Sequence, residues 1–587
     1  MNIKRIFRLT FACCVSSALF SLSLISFHAD ISLAALPLSL VFVAALAFFS
    51  IKKLFAERNL AFIAVFRELL QYLPYILLVS FVLRRAGEEG TPYAIDFLSV
   101  LLWIVSSALS LVILYFLNPK RIGKVSKDWH TYIEEKKAER KNPAQKSFVN
   151  STVREALSWI DALVQAVFMV LLLNVFIVQL YEIPSESMVP EFLIKDRVVV
   201  FKTLSAPKFP LSDVGLPYIK KYNRGDIVVF RNPHYANDRK SEVRTFISQL
   251  VYMCTLTKVN LNVDENGNQK ADPLVKRVCG VEGEQLMMQD GILYSRTKDS
   301  PEFKPVELDS TWATWNLNAV KPSLKKGIRD FPLSENDYAS MLSVEDERRN
   351  LNLGELAVEC KKIASDFDSL YRKSSNVKSG KLNLNDEQMS VYSLFINSGY
   401  FTASLLSTEN GSEWFSAFMT DWCDKIPDFK GDFYSEANYR LNLMIKRLSG
   451  KMILRNAQLF LSGSDVSSWQ HDSEQNENLV EAQKLYTYVM LLDLRNMPIF
   501  PANADDGSPR YIPENCYFMM GDNRFNSLDM RHSYERWNAK LSPADNYSAT
   551  YVSDMSPQYV NRSRMLGTTS YRFWPVSRAG VPKLTGR

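Results

Sequence analysis

The sequence predicts a multi-span α-helical membrane anchor followed by a mainly antiparallel β domain, the latter interrupted by a helical insertion. Three observations carry this fold class. Apolar runs of membrane-crossing length crowd the first 181 residues. Alternating, strand-like runs begin after Tyr181 and return from Tyr511. Between about 335 and 495, apolar residues recur at three- and four-residue spacing. Averages over the 587 residues conceal this division, because 47% apolar content and a mean hydropathy of -0.10 read as an ordinary soluble chain. The composition excludes collagen-like, disordered and disulfide-dense secreted chains. A net charge of +6, from 69 basic and 63 acidic residues, is too small and scattered to argue for nucleic acid.

A bilayer core of about 30 Å takes roughly 20 apolar residues as helix. Leu9–Phe27, Ile31–Ile51, Phe97–Leu117 and Ala162–Tyr181 meet that length without Lys, Arg, Asp or Glu, and Leu60–Leu83 does so apart from Arg67 and Glu68. The first run follows Lys4, Arg5 and Arg8 as a signal peptide would. No clear small-x-small cleavage site precedes the next run, so it reads as an anchor. The 120–155 stretch holds ten basic and five acidic residues and is expected in the cytoplasm. Five crossings then put the N-terminus inside and everything after Tyr181 outside, with Arg84 and Arg85 on the wrong side but close to Glu88 and Glu89.

Beyond Tyr181, Val198–Phe201, Ile227–Phe230 and Val259–Val263 read as strands. Asn266-Gly267 suggests a hairpin turn into Leu274–Val281, and Ile292-Leu293-Tyr294 a further short strand. Leu356–Tyr371, Tyr439–Phe460 and Leu479–Leu494 are the clearest helices, and Ser462–Asn478 reads as a polar loop. The domain plan is four spans in 1–119, a basic cytoplasmic loop in 120–156 and a final span in 157–181. A β domain over 182–296 is split from its second part, 511–587, by a largely helical insertion at 297–510.

Seven cysteines, five of them beyond the last span, show no CxxC spacing, so neither a disulfide framework nor a zinc site is supported. Five scattered histidines make a metal site unexpected; only His532 lies near other catalytic residue types, and no G-x-S-x-G turn occurs. A serine can instead be activated by a neutral lysine. Working near pH 8 needs a depression of about two to three units, roughly 3–4 kcal/mol, which burial against apolar groups can supply.

The serine candidates stand in Ile183-Pro184-Ser185-Glu186-Ser187-Met188-Val189-Pro190. Two prolines are expected to hold this piece extended, so that Ser185 and Ser187 share a face. The lysine candidate is Lys276, within Leu274-Val275-Lys276-Arg277-Val278-Cys279; Lys258 competes from a more polar run. The third piece, Met520 to Arg531, opens with a Gly521-Asp522-Asn523 turn, beyond which Ser527, Asp529 and Arg531 alternate. Ser205-Ala206-Pro207-Lys208 matches S-x-x-K but needs a helix that Pro207 interrupts, and Asp264–Gly267 reads as a turn, not a calcium loop.

In this order and after a membrane anchor, these segments resemble bacterial type I signal peptidases. Arg224-Gly225-Asp226-Ile227-Val228-Val229-Phe230 and the C-terminal Phe573-Trp574-Pro575-Val576-Ser577-Arg578 extend the resemblance, which covers about 182–295 and 511–580. It implies Ser187 as nucleophile and Lys276 as general base. It also implies that Ser527 orients the lysine, and that the Ser185 hydroxyl forms the oxyanion hole with the Ser187 N–H. Met188, Asp522, Asp529 and Arg531 would give structural support. The implied reaction removes N-terminal signal peptides from exported preproteins after small-x-small sites, at the outer face of a bacterial cytoplasmic membrane. No metal or organic cofactor is needed. The implied partners are preprotein signal peptides, membrane lipid and, through the insertion, the protein-export machinery, with no nucleic acid. Phe525, where the family usually has an acid, Met530, where it usually has a small residue, the five spans and the insertion all depart from the pattern. The rival readings are a self-cleaving repressor of the same Ser/Lys fold, a transporter, and a membrane-anchored binding protein built on a decayed peptidase core.

Overall fold

A computed structural model describes residues 2–88, 90–141, 148–235, 238–255, 259, 261, 263, 270–375, 377–463 and 471–582. The chain divides into two compact units. One comprises Met1–Leu180, Val199–Lys221 and Tyr235–Asp272; the other comprises Tyr181–Val198, Tyr222–His234 and Pro273–Arg587.

In the first unit, five helices are long and apolar enough to cross a membrane: Ile3–Ser23, Ile31–Ala56, Leu60–Gly87, Tyr93–Phe116 and Glu155–Phe176. Small side chains let the first and fourth approach closely, with the hydroxyls of Ser16 and Ser106, and of Ser23 and Ser99, each 2.8 Å apart. Pro74 lies inside the third helix and has no N–H for the Leu70 carbonyl; the Ser110 hydroxyl donates there instead. Arg84 and Arg85 are buried and paired, Arg84 Nε with Glu88 at 3.1 Å and Arg85 Nε with Asp96 at 3.3 Å.

The last apolar helix stops at Phe176, earlier than the run to Tyr181 suggests, and Val178–Glu182 is a strand. The helix end is capped from outside, by Lys202 Nζ on the Asn174 carbonyl and the Thr203 hydroxyl on the Phe176 carbonyl, both at 2.9 Å. The helix Arg239–Cys254 was not legible from the sequence. Much of the expected Val259–Val263 strand, the Asn266-Gly267 turn and Lys258 lie outside the described residues.

The second unit is built on a curled antiparallel sheet. Five of its strands run in the order Met565–Trp574, Ile227–Phe230, Leu274–Gly280, Cys516–Met520, Val560–Asn561. The central three are almost wholly buried, as their apolar residues favour, and Lys276 and Arg277 of the middle one are buried with them. A second sheet has the order Lys304–Pro305, Ile292–Thr297, Glu284–Gln289, Met497–Phe500. Its two outer strands are where the helical insertion leaves and rejoins the β structure, on either side of one hairpin.

Between them the chain is helical. Ser334, Asn352, Asp432 and Asp472 each cap a helix by accepting a backbone N–H. The helix Ser473–Met490 therefore begins inside the stretch read from sequence as a polar loop: Asp472 supplies a cap and also pairs with Arg455 at 2.5 Å. The helix Phe433–Leu461 forms the spine of the insertion's core, and that core also takes in Phe525, Leu541, Ala549 and Tyr551 from the second β segment.

Candidate active site

Lys276 sits in the strand Leu274–Gly280, opposite Val228 of the neighbouring strand. Its side chain is buried, with Nζ 2.6 Å from Ser187 Oγ. Burial pushes the amine down from 10.5 to about 8; Asp529 and Asp522 draw it back up, while Arg531 lowers it further. Ser187 is itself only 7% exposed. A serine hydroxyl and a lysine with a substantial neutral fraction near pH 8 therefore meet at hydrogen-bond distance in a largely dry setting.

The segment carrying Ser187 is bent, not extended as its two prolines suggest. Backbone bonds from Val189 N to the Glu186 carbonyl (3.1 Å) and from Phe192 N to the Met188 carbonyl (2.9 Å) close successive turns. The bend still brings the two serines together, with the exposed Ser185 hydroxyl donating to Ser187 Oγ at 3.3 Å. Met188, the next residue, is buried.

The Gly521–Arg531 loop closes over this segment. The Asn523 N–H donates to the Ser187 carbonyl and Asn523 Nδ2 to the Glu186 carbonyl, both at 3.1 Å. A Cβ at Gly521 would collide with Ser527 Oγ and with the Ser187 carbonyl, so only glycine permits this approach. Asp522 accepts a two-pronged bond from Arg277, Nε at 2.7 Å and Nη2 at 2.6 Å, with both side chains buried. Asp529 accepts from Arg531 Nε at 2.8 Å and from the Gly521 N–H at 2.9 Å. Burial opposes the charge on Asp529, but Arg531, His532 and the Gly521 amide outweigh it and hold the carboxyl well below the usual range. Arg531 also reaches outward, donating to the Leu494 carbonyl at 2.7 Å near the end of the insertion.

The sequence-predicted residues thus gather around one point, with differences in detail. Ser527 Oγ is buried beside Gly521 but has no hydrogen-bond partner among the described residues, so it makes no bond to Lys276. Nor do Ser527, Asp529 and Arg531 line up as alternating neighbours: Leu528 is exposed and Met530 is buried with them. His532 pairs with Asp554 at 2.9 Å. Ser205 and Lys208 lie in non-helical chain.

Three contributors escaped the sequence reading. Asn523 was read only as turn chemistry. Arg277 is a second cation in an apolar strand, a signal that it needs a buried acid. The third is the start of the insertion. Asp309 pairs with Arg524 at 2.6 Å, the Thr314 N–H donates to the Asp522 carbonyl at 2.7 Å, and Trp315 packs edge-on to Phe525 with centroids 5.2 Å apart. Phe525 faces the insertion's aromatic core, and Met530 fills the core of the β domain.

A family profile described as "Signal peptidase, peptidase S26" matches residues 156–346 and 442–574, more than half of the chain. The Signal peptidase I of Buchnera aphidicola subsp. Schizaphis graminum (strain Sg) is 31% identical over 137 residues, 23% of this chain and 39% of that protein. The Signal peptidase I of Buchnera aphidicola subsp. Baizongia pistaciae (strain Bp) is 40% identical over 65 residues, 11% of this chain and 21% of that protein. The chain thus spans about two fifths or less of the length of the curated relatives it matches.

Proposed function

The chain belongs to the signal peptidase family, peptidase S26, and on that premise we propose that it is a serine endopeptidase that removes signal peptides from exported preproteins after small-x-small sites. The observation that carries this is the buried Lys276 amine 2.6 Å from Ser187 Oγ, with its pKa lowered to about 8. Ser187 Oγ attacks the scissile carbonyl as the neutral Lys276 amine takes its proton. The Ser187 N–H and the Ser185 hydroxyl, once it swings from Ser187 Oγ towards the substrate, stabilise the oxyanion; one such donor is worth about 3–4 kcal/mol. The Lys276 ammonium then returns the proton to the leaving amine, which departs as the new N-terminus of the mature protein. Water, deprotonated by the same amine, hydrolyses the acyl-enzyme and frees the signal peptide. Asp522–Arg277 and Asp529–Arg531 hold the loop that pins the Ser187 segment.

The apolar helices anchor the enzyme in the membrane; the reading adds that this is a bacterial cytoplasmic membrane, with the peptidase unit on its outer face. A signal helix then shares a surface with the serine, which pre-orients the encounter. The test is cleavage of a preprotein whose signal ends in Ala-x-Ala by detergent-purified protein, with the new N-terminus mapped by mass. Cleavage at that site by the wild type, abolished in Ser187→Ala, is the expected result. A folded wild type inert towards several preproteins would return the chain to the rival reading, a binding protein on a decayed core.

A further inference from the structure

Glu186 lies between the two serines, and its buried carboxylate faces neither of them. It accepts two backbone N–H groups of the insertion, Arg329 at 2.6 Å through Oε1 and Asp330 at 3.1 Å through Oε2. Its carbonyl accepts from Asn523 Nδ2 at 3.1 Å. Beside this tie, Val189 and Leu193 from the Ser187 segment share an apolar cluster with Leu317, Val320 and Ile328. Asn526 of the Gly521–Arg531 loop donates to Asp330 at 3.3 Å. The inserted segment therefore touches both halves of the candidate site. A carboxylate is the group suited to this junction, because its two oxygens each accept from one of two consecutive amides.

We propose that Glu186 is a positioning residue that clamps the Ser187 segment to the inserted segment 317–330, so that the insertion helps set the direction in which Ser187 Oγ points. This rests on the peptidase reading above, and reaction geometry makes it consequential, since a displacement of about 1 Å at a reacting atom costs on the order of 100-fold in rate. Gly327 gives access to the clamp from the other side: a Cβ there would come within 2.5 Å of Leu193 Cδ1. Gly327→Val therefore crowds Leu193 and presses through it on the Ser187 segment, without altering a residue of the candidate dyad or its loop.

The experiment compares wild type, Ser187→Ala, the Glu186→Gln/Gly327→Val double variant, Glu186→Gln and Gly327→Val by steady-state preprotein cleavage and by hydrogen–deuterium exchange of a peptide spanning 326–332. Glu186→Gln keeps one acceptor and loses the other. We expect kcat to fall about 10- to 100-fold in each of the last two variants with KM little changed, and the double variant to be no slower than the slower single. Exchange at 326–332 should quicken in Glu186→Gln. Wild-type kcat in both variants, with Ser187→Ala dead, overturns the clamp and leaves the peptidase reading standing. If no protein cleaves, the peptidase reading fails and exchange alone decides the contact: unchanged protection in Glu186→Gln overturns the clamp, faster exchange upholds it.

Discussion

At pH 7 an amine with a pKa of about 8 is about nine-tenths protonated, so only a minority of Lys276 side chains can accept the Ser187 proton. The rate of preprotein cleavage is accordingly expected to rise about tenfold per pH unit below 8 and to level off above it; an acid limb centred near pH 10 would contradict the assignment of this amine as base. The same shift acts on stability. The unfolded chain binds the lysine proton up to about pH 10.4, whereas the folded chain releases it near 8. Between these values the unfolded state holds the extra proton, so stability rises with pH across that window, and below 8 the fold carries the whole penalty, roughly 3 kcal/mol at most. Lys276→Met should abolish cleavage and yet raise stability at pH 7 by up to about that amount, with the gain fading above pH 10, as read from denaturation in detergent at the two pH values. That Lys276 could be buried was legible from its apolar strand neighbours, whereas its role as base was implied only by the resemblance. The contribution of Glu186 was not legible, because its partners are backbone amides more than a hundred residues away.

Elements show the same division between local and distant causes. The apolar helices and the central strands could be read because their length and apolar continuity are properties of single segments. The strand Met497–Phe500 could not, since it exists by pairing with Glu284–Gln289, about two hundred residues earlier. The bend at Ser185–Phe192 escaped for the same reason: prolines argue for extension locally, while Asn523 and the insertion hold the turn from outside. The Gly521–Arg531 loop is the element most altered by its surroundings. Phe525 is buried against Trp315, so restoring the family's usual acid with Phe525→Glu should place a carboxylate in an apolar core and lower stability by more than about 2 kcal/mol. Phe525→Leu should cost less, and thermal unfolding of the two variants side by side checks the order. Equal midpoints would mean that a carboxylate at 525 escapes the apolar core, contrary to the burial of Phe525.

For the molecule as a whole, the division into anchor, split β structure and insertion was readable from changes of periodicity along the chain. How the insertion joins the β structure was not. Its core includes Leu541, Ala549 and Tyr551 of the β segment, and its buried Lys446 meets Asp545, which lies between the paired antiparallel strands His532–Lys540 and Thr550–Met555, at 2.5 Å. The insertion is thus fused to the β structure through a continuous interior. Replacing residues 306–496 with a short Gly/Ser linker is therefore expected to give an aggregating, inactive chain, whereas excision of a loosely tethered module would leave a soluble one. Size-exclusion chromatography of the shortened protein in detergent distinguishes the two.

The strand that carries Lys276 lies between one neighbour made earlier in the chain and one made much later, with Arg277 and its partner Asp522 separated by 245 residues. During synthesis at roughly 5–20 residues per second, one edge of that strand stays open for about 10–50 s. Ser187 and Lys276 have by then both emerged, but the loop that pins the Ser187 segment has not. The newborn chain thus passes through an interval with Ser187 and Lys276 both made and an unpaired strand edge exposed, a state prone to pairing with other chains. Order of synthesis delays completion of the candidate site until nearly the end of translation, and the helical body too waits for Leu541, Ala549 and Tyr551 to complete its core.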